Sequence, residues 1–450
     1  MGLQSLYDKM PVWVQNLMCS IKGWMICRRR YNSGFHQELE RYLYSKVNQE
    51  EELKSFLLLT RNILAYKGIL SQSDYANLNS GELSVYEALK KFPIIGKQPV
   101  KEHIEDYYNK NYVGKQMLMR TSGTTGAGII FPYSVIMENR QWAIWWRYRI
   151  RLGISLDTWC GWFGGKVVVP AQTTSSPFWR VNKSGKQVMF GTYHLTPKTV
   201  GEYHKEIANR GLTWLHGYPS HIAKFAALAM DQGLSPLECV KFVTTGAENV
   251  LGNQVTIMQK MFPNAIIRQH YGLNEGVANL SQDKEGNWKV DDEFCYVEFI
   301  PTEKKNVCRI VGTGFSNEAF VLVRYDTGDL ATVEYDSEGK VCKILSIDGR
   351  SSNAITQPSG HNINEASLSI VLHDFMNISE AQFHQKSPTD VDLWVVKGRD
   401  YSDVDEKALR RSLDKAFEPE MNVNIVYVDA VQRTKAGKLK IVITDNNDNI

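Results

Sequence analysis

The sequence lacks the features that mark membrane-spanning, secreted and disulfide-stabilised proteins. It contains no run of about 18 uncharged apolar residues, so we expect no transmembrane helix. Near the N-terminus no basic region is followed by a long apolar block and a small-residue cleavage site, so we expect no secretory signal. The seven cysteines are dispersed and form no C-x-x-C pair, which argues against a zinc site and a disulfide framework and favours the reducing cytoplasm.

A strong charge of either sign is also absent. The 52 Lys and Arg residues nearly balance the 49 Asp and Glu residues, which leaves a net charge of +3. Apart from Arg28–Arg30 the basic residues are scattered, so we expect no nucleic-acid partner. What the chain does contain is a core-forming composition, with 43% hydrophobic and 22% charged residues over 450 positions, typical of a globular protein with roughly two or three domains.

The apolar pattern changes along the chain. Residues 36–92 carry apolar side chains at helical spacing, and we expect an N-terminal helical region over about 1–110. From about 190 to 275, strand-like and helix-like segments alternate, which predicts a parallel α/β sheet. The predicted strands are Leu212–Leu215, Val240–Val243 and Ala265–Arg268, and the predicted helices are His221–Met230 and Asn253–Met261.

The C-terminal half reads differently. Short apolar runs broken by turns over residues 296–345 predict antiparallel strands at Tyr296–Ile300, Phe320–Val323, Ala331–Tyr335 and Val341–Leu345. The last hundred or so residues predict a small α+β domain with strands at Asp392–Val396 and Val423–Val428 and a helix at Asp405–Phe417. We therefore expect an α/β protein with a large domain over 1–348 and a small C-terminal α+β domain over 349–450.

A loop rich in glycine and hydroxyl residues follows an apolar lead-in, in the stretch MRTSGTTGAG over residues 119–128. Backbone amides in such loops can converge on phosphate oxygens, and Ser and Thr hydroxyls add donors. The loop has no GxxxxGK[ST] pattern, so it is not the phosphate loop of a P-loop kinase. Taken alone, an ordinary flexible turn explains it equally well.

Further motifs follow this loop in a fixed order. They are Thr244–Glu248 (TTGAE), Tyr271–Glu275 (YGLNE), Tyr325–Leu330 (YDTGDL), Ile347–Arg350 (IDGR) and Arg433–Lys440 (RTKAGKLK). Over roughly residues 85–440 this series resembles the core motifs of the adenylate-forming superfamily, which includes acyl-CoA ligases and luciferases. The stretches His216–Ser220, Gly246–Glu248, Ile21–Trp24 and Arg28–Tyr31 resemble the phenylacetate-CoA ligase branch and its CapK-like members, which are associated with capsule and O-antigen gene sets.

The resemblance implies a site for ATP and Mg²⁺. It implies that the β- and γ-phosphates are cradled by Thr121, Ser122, Gly123, Thr124, Thr125 and Gly126. It implies that adenine is stacked by Tyr271 and lined by Gly246, Ala247 and Glu248, with Gly272 and Asn274 in the same motif as the tyrosine. It implies that Mg²⁺ is held by Glu275, both ribose hydroxyls by Asp329, and the sugar or a phosphate by Arg350 at a hinge. The family's lysine after the loop is absent, because Ala127–Ile130 stands there.

Each of these residues also has an ordinary structural interpretation. Glu275 fits a solvated loop glutamate, Tyr271 a core tyrosine, and Asp329 a turn aspartate. The order of the motifs favours the binding roles.

Two residues are candidates for chemistry. The resemblance implies that Lys438 stabilises the charge that builds up on the α-phosphate, since its pairing with Gly437 distinguishes it from Lys435 and Lys440. A solvated basic tail is the alternative for this segment. His216, beside an acyl pocket in the resemblance, is either catalytic or structural.

The predicted activity is that of an AMP-forming ligase that makes an acyl-AMP from ATP and a carboxylic acid. The acyl group then passes to CoA, or to an amine or hydroxyl of a sugar or amino acid in surface-polysaccharide synthesis. A different class, a nucleotide-binding protein on a decayed ligase scaffold, is the alternative, and the missing loop lysine supports it. Retained Asp329, Glu275, Arg350 and Lys438 argue against it.

Two aromatic stretches stand outside this scheme. Residues Val12–Tyr31 mix Trp13, Leu17, Trp24 and Ile26 with the arginines at 28–30. They fit either an interfacial helix that touches anionic lipid at the inner face of the membrane or a helix packed on the large domain. For Trp142–Trp162 we favour core packing over an acceptor pocket.

Overall fold

The computed structural model describes residues 3–44, 47–121, 128–350, 354–360, 362–364, 368, 371, 372, 375, 377–434 and 437–444. The chain forms two compact units, each assembled from separate stretches of sequence. The first unit comprises Met1–Cys27, Ile154–Gln269 and Gly349–Ile450, and the second comprises Arg28–Gly153 and His270–Asp348. The predicted α/β class is confirmed. The division into domains at 348 and 349 stays a prediction.

Helices dominate the first third of the chain and alternate with strands in the middle. The α-helices are α1 (Leu3–Asp8), α2 (Val12–Arg30), α3 (Ser33–Tyr44), α4 (Gln49–Leu59), α5 (Gln72–Ser80), α6 (Val85–Lys90), α7 (Lys97–Glu102), α8 (Val135–Leu152), α9 (Val200–Asn209), α10 (Pro219–Asp231), α11 (Gly252–Met261) and α12 (Asp403–Ala416). Short 3₁₀ turns lie at Thr60–Asn62, Leu64–Tyr66, Ile104–Tyr107 and Thr192–His194. Within the described ranges, no helix combines the length and the apolar character that crossing a bilayer requires.

The strands fall into several sheets. They are β1 (Gln116–Arg120), β2 (Ile130–Ser134), β3 (Cys160–Phe163), β4 (Trp179–Asn182), β5 (Gln187–Phe190), β6 (Trp214–Gly217), β7 (Phe242–Thr245), β8 (Ile266–Gly272), β9 (Asn279–Gln282), β10 (Trp288–Val290), β11 (Cys295–Pro301), β12 (Val307–Gly314), β13 (Tyr325–Tyr335), β14 (Val341–Arg350), β15 (Ala354–Thr356), β16 (Asn362–Asn364), β17 (Ile378–Gln385), β18 (Asp390–Lys397), β19 (Asn422–Tyr427) and β20 (Val442–Thr444).

The first unit is built on a mainly parallel sheet in the order β4-β5-β3-β6-β7-β8, with β4 antiparallel at one edge. Its central strands are buried, and Leu215 of β6 stands opposite Val243 of β7. Helix α10 begins with Pro219 directly after β6, because proline fits the first helical turn, where no amide partner is needed. This turn places residues 216–220 at the carboxyl edge of the sheet, where ligands bind in open α/β folds.

The C-terminal part of the first unit is a four-stranded sheet in the order β19-β18-β17-β20. Strands β17 and β18 form an antiparallel pair, and β19 and β20 add to it in parallel on either side. Helix α12 begins with a capping box between Ser402 and Asp405 and buries Leu409 and Leu413 in the core of this sheet. The predicted α+β segment is therefore present.

The second unit contains α3–α8 and a sheet in the order β11-β12-β13-β14. Its helices have clear local signals, since α5 begins with the Ser71 and Asp74 capping box and ends at Gly81 with a φ of 87°. Strand β1 precedes the glycine-rich loop and strand β2 follows it. The two strands pair antiparallel, with Arg120 opposite Ile130. The predicted helical pattern over residues 36–92 is thus confirmed.

One predicted strand is wrong. Phe320–Val323 forms no strand and makes one isolated bridge, with Tyr108. Its side chains are buried, and the Val321 amide donates to the Tyr107 carbonyl oxygen over 3.0 Å. The apolar run is therefore a connection packed in the core. A short buried connection and a short buried strand have the same apolar sequence pattern.

Candidate functional site

The base of the glycine-rich loop is closed by a pair of hydrogen bonds. The Thr121 amide donates to the Ile129 carbonyl oxygen over 3.0 Å, and the Ile129 amide donates to Thr121 Oγ1 over 3.1 Å. A side chain at Gly128 would clash, because its Cβ would lie 1.8 Å from the Thr121 carbonyl oxygen. The other predicted phosphate-binding residues, Ser122, Gly123, Thr124, Thr125 and Gly126, lie outside the described residues.

Tyr271 and Asp329 meet in the second unit. Tyr271 lies near the end of β8 and Asp329 in β13, and the Tyr271 hydroxyl donates to the Asp329 carboxylate over 2.7 Å. Burial, together with the negative charge of Asp329, raises the pKa of Tyr271 well above its ordinary value, so the phenol remains a neutral donor. The Asp329 amide donates to Thr327 Oγ1 over 3.1 Å, which fixes the backbone as well. A carboxylate has about four lone-pair positions, so Asp329 can accept further hydroxyl donors.

The turn after β8 reaches the start of the glycine-rich loop. Asn274 Nδ2 donates to the carbonyl oxygen of Arg120 over 3.4 Å, one residue before Thr121. Gly272 is required here, because an added Cβ would lie 2.6 Å from the Asn279 side-chain oxygen. Two predicted motifs of the second unit are thereby brought together.

Glu275, the predicted Mg²⁺ ligand, lies in the same turn and is 8% exposed. Within the described ranges, no three His, Cys, Asp or Glu residues gather into a metal-binding group. Mg²⁺ in nucleotide enzymes is commonly held by one or two carboxylates together with substrate phosphates. The single buried carboxylate of Glu275 fits that mode of binding.

The segment after β7 has an unusual backbone in the first unit. Ala247 has a φ of 68°, in the left-handed region that non-glycine residues seldom adopt, and it is exposed beside the buried Gly246. Such conformations concentrate at functional sites. The next residue, Glu248, acts through its side chain, because its carboxylate accepts from the Leu439 amide over 2.7 Å and from the Ser220 amide over 3.3 Å.

Lys438 lies in a tight turn of the C-terminal segment, which we call the Lys438 turn (Arg433, Thr434 and Gly437–Leu439). Its ends are bridged, and the Gly437 amide donates to the Thr434 carbonyl oxygen over 2.7 Å. Gly437 has a φ of 77°, which suits glycine. The Lys438 ammonium lies 5.8 Å from the centre of the Tyr218 ring, at the carboxyl edge of the parallel sheet. Lys435 lies outside the described residues.

Arg433 holds the Lys438 turn against α10. Its guanidinium donates to Ser220 Oγ over 2.8 Å and forms an ion pair with Glu380, which is also paired with Lys224 over 3.2 Å. The Glu380 side chain is 4% exposed, and removing one partner of such a buried pair typically costs about 3–5 kcal/mol. The segment is therefore anchored rather than a solvated basic tail. No local pattern in the sequence around Glu380 predicts this contact, because its partner lies 53 positions away.

Two histidines flank the Tyr218 turn. His216 Nδ1 lies 2.9 Å from the carbonyl oxygen of Thr244, which only accepts, so Nδ1 carries a proton and donates. His221, which the sequence analysis did not single out, is 3% exposed and packs near Gly437. Burial and the nearby Arg433 lower the pKa of His221 to about 3, so its ring is neutral. The catalytic role of His216 stays a prediction.

Arg350 is the last residue of β14 and is half-buried in the first unit. The preceding Gly349 has a φ of 76°, and the units change between Asp348 and Gly349. Asp348 is fixed in the second unit by the Thr332 hydroxyl, which donates to its carboxylate over 2.6 Å. The hinge role of Arg350 stays a prediction.

Comparison with known proteins identifies relatives of the whole chain and of its C-terminal part. Residues 355–445 match the family model of the CapK C-terminal domain. Across 455 aligned positions the chain is 24% identical to Protein CapK of Staphylococcus aureus, and the match covers 98% of this chain and 99% of that protein.

Solved structures share the fold at low sequence identity. A 2-hydroxyisobutyryl-CoA ligase in its postadenylation state, in complex with R3-HIB-AMP, has a TM-score of 0.62 and 15% identity, with 88% of this chain and 89% of that chain covered. The anthranilate CoA ligase AuaEII in complex with anthranoyl-AMP has a TM-score of 0.51 and 13% identity, with 72% and 65% covered. The chain is therefore similar to Protein CapK over almost its whole length, matches the CapK C-terminal domain over residues 355–445 and has the fold of the adenylate-forming ligases, as its motifs predicted.

Proposed function

We propose that the protein is an ATP-dependent, AMP-forming ligase that activates a carboxylic acid as an acyl-AMP and passes the acyl group to an acceptor in capsule or O-antigen polysaccharide biosynthesis. The observation that carries the proposal is the anchored Lys438 turn, which holds an ammonium group beside Tyr218 at the carboxyl edge of a parallel sheet. The acyl-AMP molecules bound by the two structural neighbours support the same chemistry.

In the first half-reaction, a carboxylate oxygen of the substrate attacks the α-phosphorus of ATP. The bond from that phosphorus to the bridging oxygen breaks, and pyrophosphate leaves with the electron pair. Negative charge increases on the α-phosphate oxygens in the transition state, and the Lys438 ammonium stabilises it. Asp329, fixed by Tyr271, accepts hydrogen bonds from the ribose hydroxyls and orients the nucleotide.

Mg²⁺ would be held by Glu275 together with phosphate oxygens, and it would neutralise charge on the departing pyrophosphate. The base of the loop at Thr121 and Gly128 would orient the amides that bind the phosphates. Adenine would lie against Tyr271 and the backbone of residues 246–248.

In the second half-reaction, a nucleophile on the acceptor attacks the acyl carbonyl carbon, and AMP leaves with the oxygen that joined it to the acyl group. We propose that the small C-terminal domain moves the Lys438 turn away before this step, since the superfamily separates its half-reactions by such gating. CapK kinship favours an acceptor of surface-polysaccharide synthesis in the cytoplasm, and CoA is the alternative acceptor.

A mass spectrum of the protein incubated with ATP, Mg²⁺ and a mixture of carboxylic acids tests the proposal. We expect acid-dependent pyrophosphate release and an acyl-AMP whose mass names the substrate. Addition of CoA then discriminates the acceptors, because a thioester product indicates a CoA ligase. No turnover with any acid, together with no ATP binding by calorimetry, would overturn the proposal. ATP binding without turnover would favour the non-catalytic alternative.

A further inference from the structure

Helix α2 presents a continuous apolar face to solvent. Trp13, Leu17, Ile21 and Trp24 recur at intervals of three and four residues, so they line one side of the helix, and we call them the α2 face. Their exposed fractions are 69%, 51%, 49% and 52%, and Met25 beside them is 60% exposed. Adjacent apolar side chains exposed to this degree mark an interaction site more often than scattered single ones.

The other side of α2 is docked in the first unit. Gln15 is 2% exposed, and Asn16 Oδ1 accepts from the Val181 amide over 2.9 Å. Gly23 is buried where an added Cβ would meet the Asn182 side chain. The α2 face is thus presented by a helix that is already fixed in place.

The other tryptophan-rich helix behaves differently. On α8, Trp146 is 6% exposed and Trp145 donates to the Asn279 side chain over 2.9 Å. Among the described residues, Trp13 and Trp24 are the tryptophans that are exposed. Tryptophan is favoured at the boundary between lipid and water, where its ring is half in an apolar and half in a polar medium.

The sequence of α2 and its flanks is rich in basic residues. The sequence contains no acidic residue between Asp8 and Glu38. Of the basic residues in that stretch, Arg29 and Arg30 pair with Glu138 over 2.8 and 3.1 Å, so these two arginines contact the protein. Two lysines of the same stretch, Lys9 and Lys22, are exposed.

We propose that the α2 face binds an anionic phospholipid bilayer, with α2 in the plane of the interface and its apolar side chains inserted among the lipids. An apolar helix face bordered by cations is the pattern of interfacial helices. A second copy of the chain is a poorer partner, because pairing two such faces would bring the exposed Lys9 and Lys22 of each copy close together. The inference is independent of the ligase chemistry.

Vesicle co-sedimentation of the full-length protein tests this inference. We expect binding to vesicles of equal parts phosphatidylglycerol and phosphatidylcholine, weaker binding in high salt, and little binding to phosphatidylcholine alone. The double variant W13S/W24S should bind at least about tenfold more weakly, since it removes the largest inserting groups. In brominated lipid, the wild type should lose tryptophan fluorescence and the variant should not.

The control is the double variant L64S/V404S, which removes two exposed apolar side chains elsewhere, 56% and 74% exposed. It should bind vesicles as the wild type does. Both double variants should have the same circular dichroism spectrum as the wild type, which shows that they are folded. Three outcomes would overturn the inference. They are wild-type binding by W13S/W24S, no vesicle binding by the wild type, and a concentration-dependent dimer abolished by W13S/W24S in the absence of lipid.

Discussion

Tyr271 and Asp329 lie in strands of the second unit, whereas Lys438 lies in a turn of the first unit that polar contacts hold in place. The strand residues gain their geometry from the sheet itself, so the carboxylate that we propose binds the ribose is already held in place in the protein alone. The Lys438 turn depends on Glu248 and Arg433, and each of its contacts can break without unfolding a strand. The difference suits a binding group that stays in place and a catalytic group that docks and leaves.

The largest expected effect concerns the docked group. Lys438→Ala should lower adenylate formation by about 10²–10³, the usual loss when one charge-stabilising donor is removed. ATP affinity measured by calorimetry should change little, because the strand residues remain. Lys440→Ala is the matched control, because the Lys440 backbone oxygen that accepts from Gln382 is retained, and its activity should be near that of the wild type. Equal activity in the Lys438 variant would move the catalytic role elsewhere.

Substitution of Asp329, which lies in strand β13, should weaken the binding of ATP. Asp329→Ala removes an acceptor for both ribose hydroxyls and leaves the buried Tyr271 hydroxyl without its partner. A hydrogen bond to a charged group contributes about 1.5–3 kcal/mol, so the loss of even one of the two should lower ATP affinity by at least about tenfold to a hundredfold. Calorimetric titration with ATP measures this. If affinity were unchanged while adenylation fell, Asp329 would not bind the ribose.

We expect Glu248 to affect the reaction by holding the Lys438 turn in place. We expect Glu248→Gln to lower adenylate formation about tenfold at unchanged ATP affinity, since it weakens a hydrogen bond worth about 1.5 kcal/mol between a charged group and the Leu439 amide. Glu202→Gln, a change on the surface of α9, is the control.

The pH profile separates this positioning role from a merely structural one. Burial raises the pKa of Glu248, although Arg433 opposes the shift, so the side chain takes up a proton at a higher pH than an ordinary glutamate. A protonated acid accepts the Leu439 amide less well. Adenylation should therefore fall as the pH falls through this raised pKa, and the Glu248→Gln variant should lack that acidic limb. An unaltered profile in the variant would rule the role out.

The smallest effect should come from Tyr271→Phe. The ring remains to contact adenine, and only the hydroxyl that fixes Asp329 is lost. A net loss of about 1 kcal/mol corresponds to about fivefold weaker ATP binding, measured by the same titration. A larger loss than in Asp329→Ala would reverse the assignment of roles within this pair.

Much of the architecture was predictable because its signals are local. The proline after β6, the capping box at Ser402 and the alternation of strands with helices each depend on a few neighbouring residues. The predicted strand at Phe320–Val323 was wrong because the prediction used only local pattern. A short buried strand and a short buried connection have the same apolar pattern. Partners distant in sequence left no local trace, as with Glu380 for Arg433.

By itself, the sequence determined the order of the motifs, the α/β class and the resemblance to adenylate-forming ligases, since spacing and turn chemistry depend on short stretches of sequence. Only the tertiary structure decided that the Glu248 carboxylate accepts a hydrogen bond from the Leu439 amide, 191 positions away. It also decided that Arg29 forms its ion pair with Glu138, 109 positions away. A buried carboxylate must find donors wherever the fold supplies them, and that choice depends on which surfaces meet.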